Sequence, residues 1–324
     1  MKELVNRPFA NGSYAAVIES EDCQVYRISA STGDGLMTFH NVFPGVFVIY
    51  NDFHMQDCVS GFCPEYEMLC IDHCREGRIE QEASDGAYSF LESGDLKVDR
   101  RIHHTGHVEF PLKHFHGMSI VFDLKQAKRT LSEEMKGFPV DLYSLQKKYC
   151  DDKHPFVIKG EPCIEHIFSE LYTVPMKIKT WYLKVKIFEL LLYLDALELS
   201  DKKEERPYFY KTQVEKIKAI HRLMTENLEQ HYTLEDLAKR FDLPLTTMKS
   251  CFKATYGNSV FAYMRIYRMN YAANLLRQEQ KLSVAEIAGK VGYDSPGKFS
   301  TAFREVMGST PLAYRNFPVQ TGKK

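Results

Sequence analysis

The sequence predicts a two-domain α+β protein, with a β-barrel and flanking helices in residues 1–205 and an all-α domain in residues 206–324. Three observations predict it. Short apolar runs punctuated by glycine fill the first 123 residues, a helical pattern is written twice in the last third, and charge divides between the two parts. The net charge is only −1, yet residues 212–324 carry 17 Lys and Arg against 10 Asp and Glu, while residues 1–211 carry 25 against 33. A basic C-terminal part suits a polyanion, and an acidic N-terminal part should stay off one.

The 44% hydrophobic and 13% aromatic content supports packed cores and excludes a disordered chain. Met1 to Ser20 lacks the basic stretch and long apolar core of a secretory leader, and no later 18-residue span is apolar and uncharged. A cytoplasmic protein with no membrane partner is expected. Eight irregularly spaced cysteines in a chain of this size read as reduced thiols rather than a disulfide framework.

From about Val17 to Asp123 the runs 24–29, 46–50, 67–72, 87–91 and 118–123 have strand length and alternation, with glycines between them. Many short strands at this spacing form a barrel or a sandwich. Alternation that turns Leu69 and Ile71 inward also turns His73 inward, and Val48 and Tyr50 share one face of another strand. A polar group among apolar walls is what a small-molecule pocket needs, so these five are the candidate effector-binding residues, and a satisfied core histidine is the competing reading. His103, His104, His107, His114 and His116 crowd one segment, and Cys70, His73 and Cys74 lie near Cys58 and Cys63. Neither group repeats the paired ligands of a structural zinc site, and no Glu follows His114-Phe-His116 before Glu133. No metal and no cofactor is expected.

Residues 124–200 read as helices at 125–135, 142–149, 164–172 and 179–199. In the last, Leu183, Ile187, Leu190, Leu194 and Leu197 are spaced 4, 3, 4, 3, the seam of a two-helix packing surface. This seam fits a homodimer contact or a helix lying on its own barrel. The charged connector Asp201-Lys-Lys-Glu-Glu-Arg-Pro207 carries the domain boundary.

The duplicated pattern follows. Thr233-Leu-Glu-Asp236 and Ser283-Val-Ala-Glu286 both read as helix starts, with a hydroxyl at the N-cap and a carboxylate three residues on. Each short helix breaks at a turn, Asp242-Leu243-Pro244 or Gly292-Tyr293-Asp294, and a second helix follows with Met248 and Phe252, or Phe299 and Phe303, on one apolar face. Gly257 and Gly308 close the copies as left-handed C-caps. Two helices joined by a tight turn, the second with a cationic outer face, describe a helix-turn-helix, here about 233–257 and 283–308. Residues 260–276 between them read as one rigid connecting helix. The residues expected to face DNA are Thr246, Thr247, Lys249, Ser250 and Lys253 in the first copy, and Gly297, Lys298, Ser300, Thr301 and Arg304 in the second.

Residues 212–317 resemble the DNA-binding domain of the AraC/XylS family of bacterial transcription regulators. The second half of that domain shows an A-x-x-x-G-[FY] turn, an F-x-x-x-F helix and a G-x-[ST]-P-x-x-[FY]-R ending. Here these read Ala288-Gly-Lys-Val-Gly292-Tyr293, Phe299-Ser-Thr-Ala-Phe303 and Gly308-Ser-Thr-Pro-Leu-Ala-Tyr314-Arg315. Ser250 and Thr301 stand where the family commonly has Arg, and Pro244 where it has a polar N-cap. The resemblance implies a cupin-like sensory barrel ahead of the domain. Pro44-Gly45, His73-Cys-Arg-Glu-Gly-Arg78 and Gly94-Asp95 are similar to a branch that includes siderophore-responsive regulators. It further implies a homodimeric activator that binds double-stranded promoter DNA, engages RNA polymerase and answers a small-molecule effector. The alternative is a cupin-type metalloprotein or enzyme carrying an accessory DNA-binding domain.

Overall fold

Side-chain alternation builds most of the N-terminal half. The computed structural model describes residues 13–19, 23–59, 66–83, 87–101, 104–150, 155–199, 209–279 and 281–316; Cys63, His103 and the connector 201–207 lie outside them. Among the described residues the strands are β1 (Ser13–Glu19), β2 (Cys23–Ala30), β3 (Gly33–Phe43), β4 (Val46–His54), β5 (Asp57–Val59), β6 (Met68–Ala83), β7 (Ala87–Glu92), β8 (Leu96–Asp99), β9 (His104–Glu109), β10 (Phe115–Asp123), β11 (Phe156–Ile158) and β12 (Phe209–Tyr210). Every pairing is antiparallel, in the order β1-β2-β3-β4-β10-β6-β7-β12, with β8 and β9 also paired to β6.

The expected closed barrel is not what forms: β1 and β12 end the strand order without pairing to each other, so the sheet stays open. The reason lies in β6. Its first half pairs with β10 and β8, its second half with β9 and β7, so one strand serves two sheets. Between the halves the register slips by one residue opposite His116 and Gly117, and Gly77 takes φ 84°. A Cβ on Gly77 would lie 2.2 Å from the His114 carbonyl oxygen, so only glycine lets the strand pass here. Ile28, Phe53, Cys58, Cys74, Leu91, Val108, Phe110 and Phe115, drawn from both sheets, then pack in one cluster.

The two faces of the first sheet differ. Val46 and Val48 of β4, Leu69 and Ile71 of β6, Leu96 and Val98 of β8 and Ile120 of β10 form one core with helices α1 (Leu124–Glu134), α2 (Leu142–Cys150), α3 (Pro162–Leu171) and α4 (Lys179–Ala196). Each fully buried aliphatic side chain contributes about 1.5–3 kcal/mol. Leu183, Ile187, Leu190 and Leu194 are buried in this core, so the heptad-spaced seam of α4 meets the chain's own sheet, and Leu197 packs beside it partly buried. Trp181, Val185 and Leu192 of α4 instead stay exposed.

The opposite face carries a buried ionic network. Arg101 donates to both oxygens of Asp72 at 2.6 and 2.7 Å, and Lys97 lies 3.1 Å from Asp72 and 3.1 Å from Asp99. Ser119 donates to Asp72 at 2.6 Å and accepts from Asn51 at 3.2 Å. Burial pushes the Asp72 carboxyl up, but the Arg101 and Lys97 charges outweigh that and hold it below the usual carboxylate range.

The chain divides into two units, Met1–Tyr210 and Lys211–Lys324. The second comprises α5 (Lys211–Glu226), α6 (Leu234–Arg240), α7 (Leu245–Tyr256), α8 (Val260–Gln278), α9 (Val284–Lys290), α10 (Pro296–Met307) and α11 (Pro311–Asn316). No helix among the described residues is long and apolar enough to cross a membrane.

Removing the central anion of the network leaves the buried Lys97 and the half-buried Arg101 facing Asp99. Asp72→Ala is therefore expected to destabilise the N-terminal unit by about 3–5 kcal/mol, read by urea denaturation of the full chain. A loss below about 1 kcal/mol would mean that the network contributes no net stability.

Candidate nucleic-acid interface

Both short helices begin on a hydroxyl cap. Thr233 Oγ1 accepts from the Asp236 N–H at 3.0 Å, and Ser283 Oγ accepts from the Glu286 N–H at 3.2 Å. Only the second copy closes a reciprocal capping box, with Glu286 accepting from the Ser283 N–H at 2.7 Å. The backbone and side-chain hydrogen bonds from Ser283 pull the Glu286 carboxyl below its usual range. The shorter Asp236 takes the Thr233 hydroxyl instead, at 2.6 Å.

The turns then repeat a left-handed residue at the same place. Asp242 has φ 49° and Gly292 φ 76°. Lys216 of α5 donates to the Asp242 carbonyl at 2.8 Å, covering the first turn. At the second, a Cβ on Gly292 would lie 2.5 Å from the Leu228 carbonyl oxygen.

The second helices follow with opposed faces. In α7, Met248, Cys251, Phe252, Thr255 and Tyr256 are buried, while Thr246, Lys249, Ser250 and Lys253 are exposed and Thr247 is half-buried. In α10, which starts on Pro296 with Ser295 as its cap, Phe299, Ala302 and Phe303 are buried. Gly297, Lys298, Thr301 and Arg304 are exposed there, and Ser300 is half-buried. Ser250 donates to the Thr246 carbonyl at 3.0 Å and Thr301 to the Gly297 carbonyl at 3.1 Å, so each hydroxyl keeps its lone pairs for an outside donor. Both helices end on left-handed glycines, Gly257 at φ 83° and Gly308 at φ 74°.

One helix joins the copies. Val260 and Met264 of α8 are buried near its start; Met269, Ala272, Ala273 and Leu276 join the core of the second copy, with Ile287, Ala288, Val291, Phe299 and Phe303. On the first copy, His221 of α5 stacks on Tyr256 at 4.4 Å and pairs through Nε2 with the Tyr263 hydroxyl at 3.0 Å. Arg268 of α8 donates to the carbonyls of Leu228 and Gln230 at 2.9 and 3.1 Å. Sequence reasoning missed Arg268 and His221. Their signal, a polar residue on the buried side of an otherwise apolar helix pattern, is faint without the partner in view.

The candidate effector residues separate into two kinds. Val48, Leu69 and Ile71 are wholly buried in the helix-covered core. Tyr50 and His73 lie at its polar end: Tyr50 donates to the Leu171 carbonyl at 2.9 Å, and His73 Nδ1 lies 3.2 Å from the Tyr172 hydroxyl. Of the clustered histidines, His107 pairs with Glu109 at 3.1 Å and His114 Nδ1 lies 3.1 Å from the Leu112 carbonyl. Burial pushes the thiols of Cys58, Cys70 and Cys74 up. No group of three or more His, Cys, Asp or Glu among the described residues could hold a metal ion.

This geometry coincides with a known domain. A helix-turn-helix domain family matches residues 237–316. The C-terminal unit is an AraC-type helix-turn-helix domain. The chain is 32% identical over 131 residues to the virulence regulon transcriptional activator VirF of Yersinia enterocolitica, covering 40% of this chain and 43% of that protein. It is 25% identical over 125 residues to the HTH-type transcriptional activator RhaR of Mannheimia succiniciproducens, covering 39% of this chain and 45% of that one. These matches span less than half the length of either relative. Among solved structures, the C-terminal domain of AraT, a response regulator from Geobacillus stearothermophilus, is 29% identical and covers 34% of this chain and 93% of that one, with a TM-score of 0.30.

The AraC-type domain offers an internal comparison. Gly292 and Gly308 both take positive φ, but nothing lies within 4 Å of a Cβ at Gly308. Gly308→Ala is expected to cost about 1 kcal/mol, the backbone penalty alone. Gly292→Ala must also displace the Leu228 carbonyl and should cost more, in a urea denaturation of the full chain. Equal losses would show that the turn yields freely.

Proposed function

We propose that the protein is a sequence-specific DNA-binding transcription regulator, an activator, controlled by a small molecule bound in its N-terminal unit. The observation that carries this is the pair of exposed hydroxyl-rich and cationic faces on α7 and α10, held by the shared helix α8. Each face enters a major groove, and successive grooves on one side of the duplex lie about 34 Å apart. Lys249, Lys253, Lys298 and Arg304 meet phosphates or base acceptors; Thr246, Thr247, Ser250, Ser300 and Thr301 reach base edges or phosphates, and Gly297 lets the backbone come close. The name of VirF, an activator, favours activation, and with it a contact to RNA polymerase.

The N-terminal unit is the sensor in this reading, a cupin-like sheet whose open edge and helix-covered face replace a closed barrel. The effector biases an equilibrium between arrangements of the DNA-binding domains in a homodimer, through different affinities for them. Since the seam of α4 is filled from within, the dimer contact falls on its exposed side, at Trp181, Val185 and Leu192. The rival reading, an enzyme or metalloprotein with an accessory DNA-binding domain, would require iron or zinc in stoichiometric amount, and metal analysis of the purified protein separates the two.

Fluorescence anisotropy with a promoter duplex selected by the full chain tests the DNA reading. Lys298→Ala with Arg304→Ala is expected to weaken binding at least about 10-fold and lower the salt slope by about 2, one for each phosphate that is no longer neutralised. Unchanged affinity and slope would remove α10 from the interface. Separately, Trp181→Glu should shift the full chain from dimer to monomer in sedimentation equilibrium. A dimer that survives the charge places the contact elsewhere.

A further inference from the structure

The corner where α3 gives way to α4 gathers polar groups that the fold does not satisfy. His40 of β3 is 8% exposed and His73 of β6 only 2%, and the Nε2 of each meets no hydrogen-bond partner among the described residues. His73 is otherwise well held, with Nδ1 on the Tyr172 hydroxyl and its ring stacked on Phe168 at 4.2 Å. Tyr50 sits between the two histidines, its ring 5.5 Å from His40 and 6.1 Å from Tyr172. Over that ring, at 4.4 Å, lies the ammonium of Lys179, the first residue of α4. Lys179 is half-buried and has no carboxylate within ion-pair distance among the described residues. His116 borders the same rings from β10, and exposed Arg75 from β6, each over Tyr172.

A buried polar atom without a partner costs about 1–3 kcal/mol, and a desolvated cation more. The His40 nitrogen, on the same Tyr50 ring as the Lys179 ammonium, calls for an acceptor that carries negative charge. Burial, with Lys179 for His40 and Arg75 for His73, holds both imidazoles down to about 4, so at neutral pH they are uncharged. Burial also lowers the Lys179 ammonium. The half-buried Lys179 ammonium on the Tyr50 ring, with Arg75 exposed over Tyr172, suits a single negative charge on a largely apolar body better than a phosphate dianion.

We propose that this corner binds a small monocarboxylate, its oxygens accepting from Lys179 Nζ and His40 Nε2–H, and its apolar body lying along Tyr50 and Tyr172. The site is distinct from the aliphatic core formed by Val48, Leu69 and Ile71. It deepens the regulatory reading above by naming the effector's chemical class, and it can fail separately from that reading.

The test uses the full chain at pH 7, with cyclohexanecarboxylate, its neutral isostere cyclohexanecarboxamide and inorganic phosphate as probes. Imidazole ¹H–¹⁵N spectra, assigned through His40→Phe and His73→Phe, report binding at the two rings. The carboxylate is expected to shift both imidazoles saturably, and the amide and phosphate to bind at least about 10-fold more weakly. Lys179→Met should weaken the carboxylate at least about 10-fold without changing the amide, while Lys179→Arg retains it; near-UV circular dichroism confirms that each variant is folded. Equal binding of amide and carboxylate, preference for phosphate, or indifference to Lys179→Met overturns the assignment and leaves regulation by another ligand standing. Carboxylate binding as described, with no change in promoter affinity, upholds the site and removes its regulatory role.

Discussion

Helix α8 has to complete two cores at once, and the geometry of the C-terminal unit depends on that. Its first turns bury Val260 and Met264, and its last turns bury Met269, Ala272, Ala273 and Leu276 against the second copy. A helix packed at both ends cannot bend or rotate without opening one of the cores, since interiors are close-packed. Arg268 adds a polar lock midway, reaching the Leu228 and Gln230 carbonyls that precede α6. The Leu228 carbonyl is also the atom that forbids a side chain at Gly292. One loop of the first copy thus touches the connecting helix and the turn of the second, and the separation of α7 from α10 follows from packing rather than from a flexible link.

How legible each part was follows from the range of the signal. Caps, turns and apolar pairs three to four residues apart are local, so Thr233, Ser283, Gly257, Gly308 and the faces of α7 and α10 could be read directly from the chain. The missing glycine at Asp242 did not hide the turn, because Asp tolerates the left-handed region and Pro244 follows. Sheets are another matter. The apolar run of β6 reads as 67–72 with Gly77 among the residues between strands, yet the strand runs on to Ala83. Its continuation depends on distant partners: Arg78, almost wholly buried, pairs with Glu92 at 2.8 Å. No local pattern announces that, and the open two-sheet arrangement depends on it. The seam of α4 was ambiguous for a related reason, since heptad spacing fits a foreign helix or the chain's own sheet equally well.

The N-terminal unit treats buried polarity in two ways. Around Asp72 the groups are mutually satisfied: two cations, two carboxylates, a serine and an asparagine close on one another with distances of 2.6 to 3.2 Å. Such a network demands nothing from outside, and with its charges balanced it serves to hold β4, β6, β8 and β10 in register. Around Tyr50 the opposite holds. The tyrosine hydroxyls are used within the fold, but among the described residues His40, His73 and Lys179 each keep an unanswered capacity. A fold selected only for stability would replace those three with apolar residues of similar volume, since nearby Val48, Leu69 and Ile71 show that this face packs well without polarity. Retaining them lowers stability unless something outside the chain meets them. A sensing unit needs that asymmetry: its equilibrium can be moved only by a ligand that finds more to bind in one arrangement than in the other, and the unsatisfied corner supplies the binding free energy from which such a difference is made.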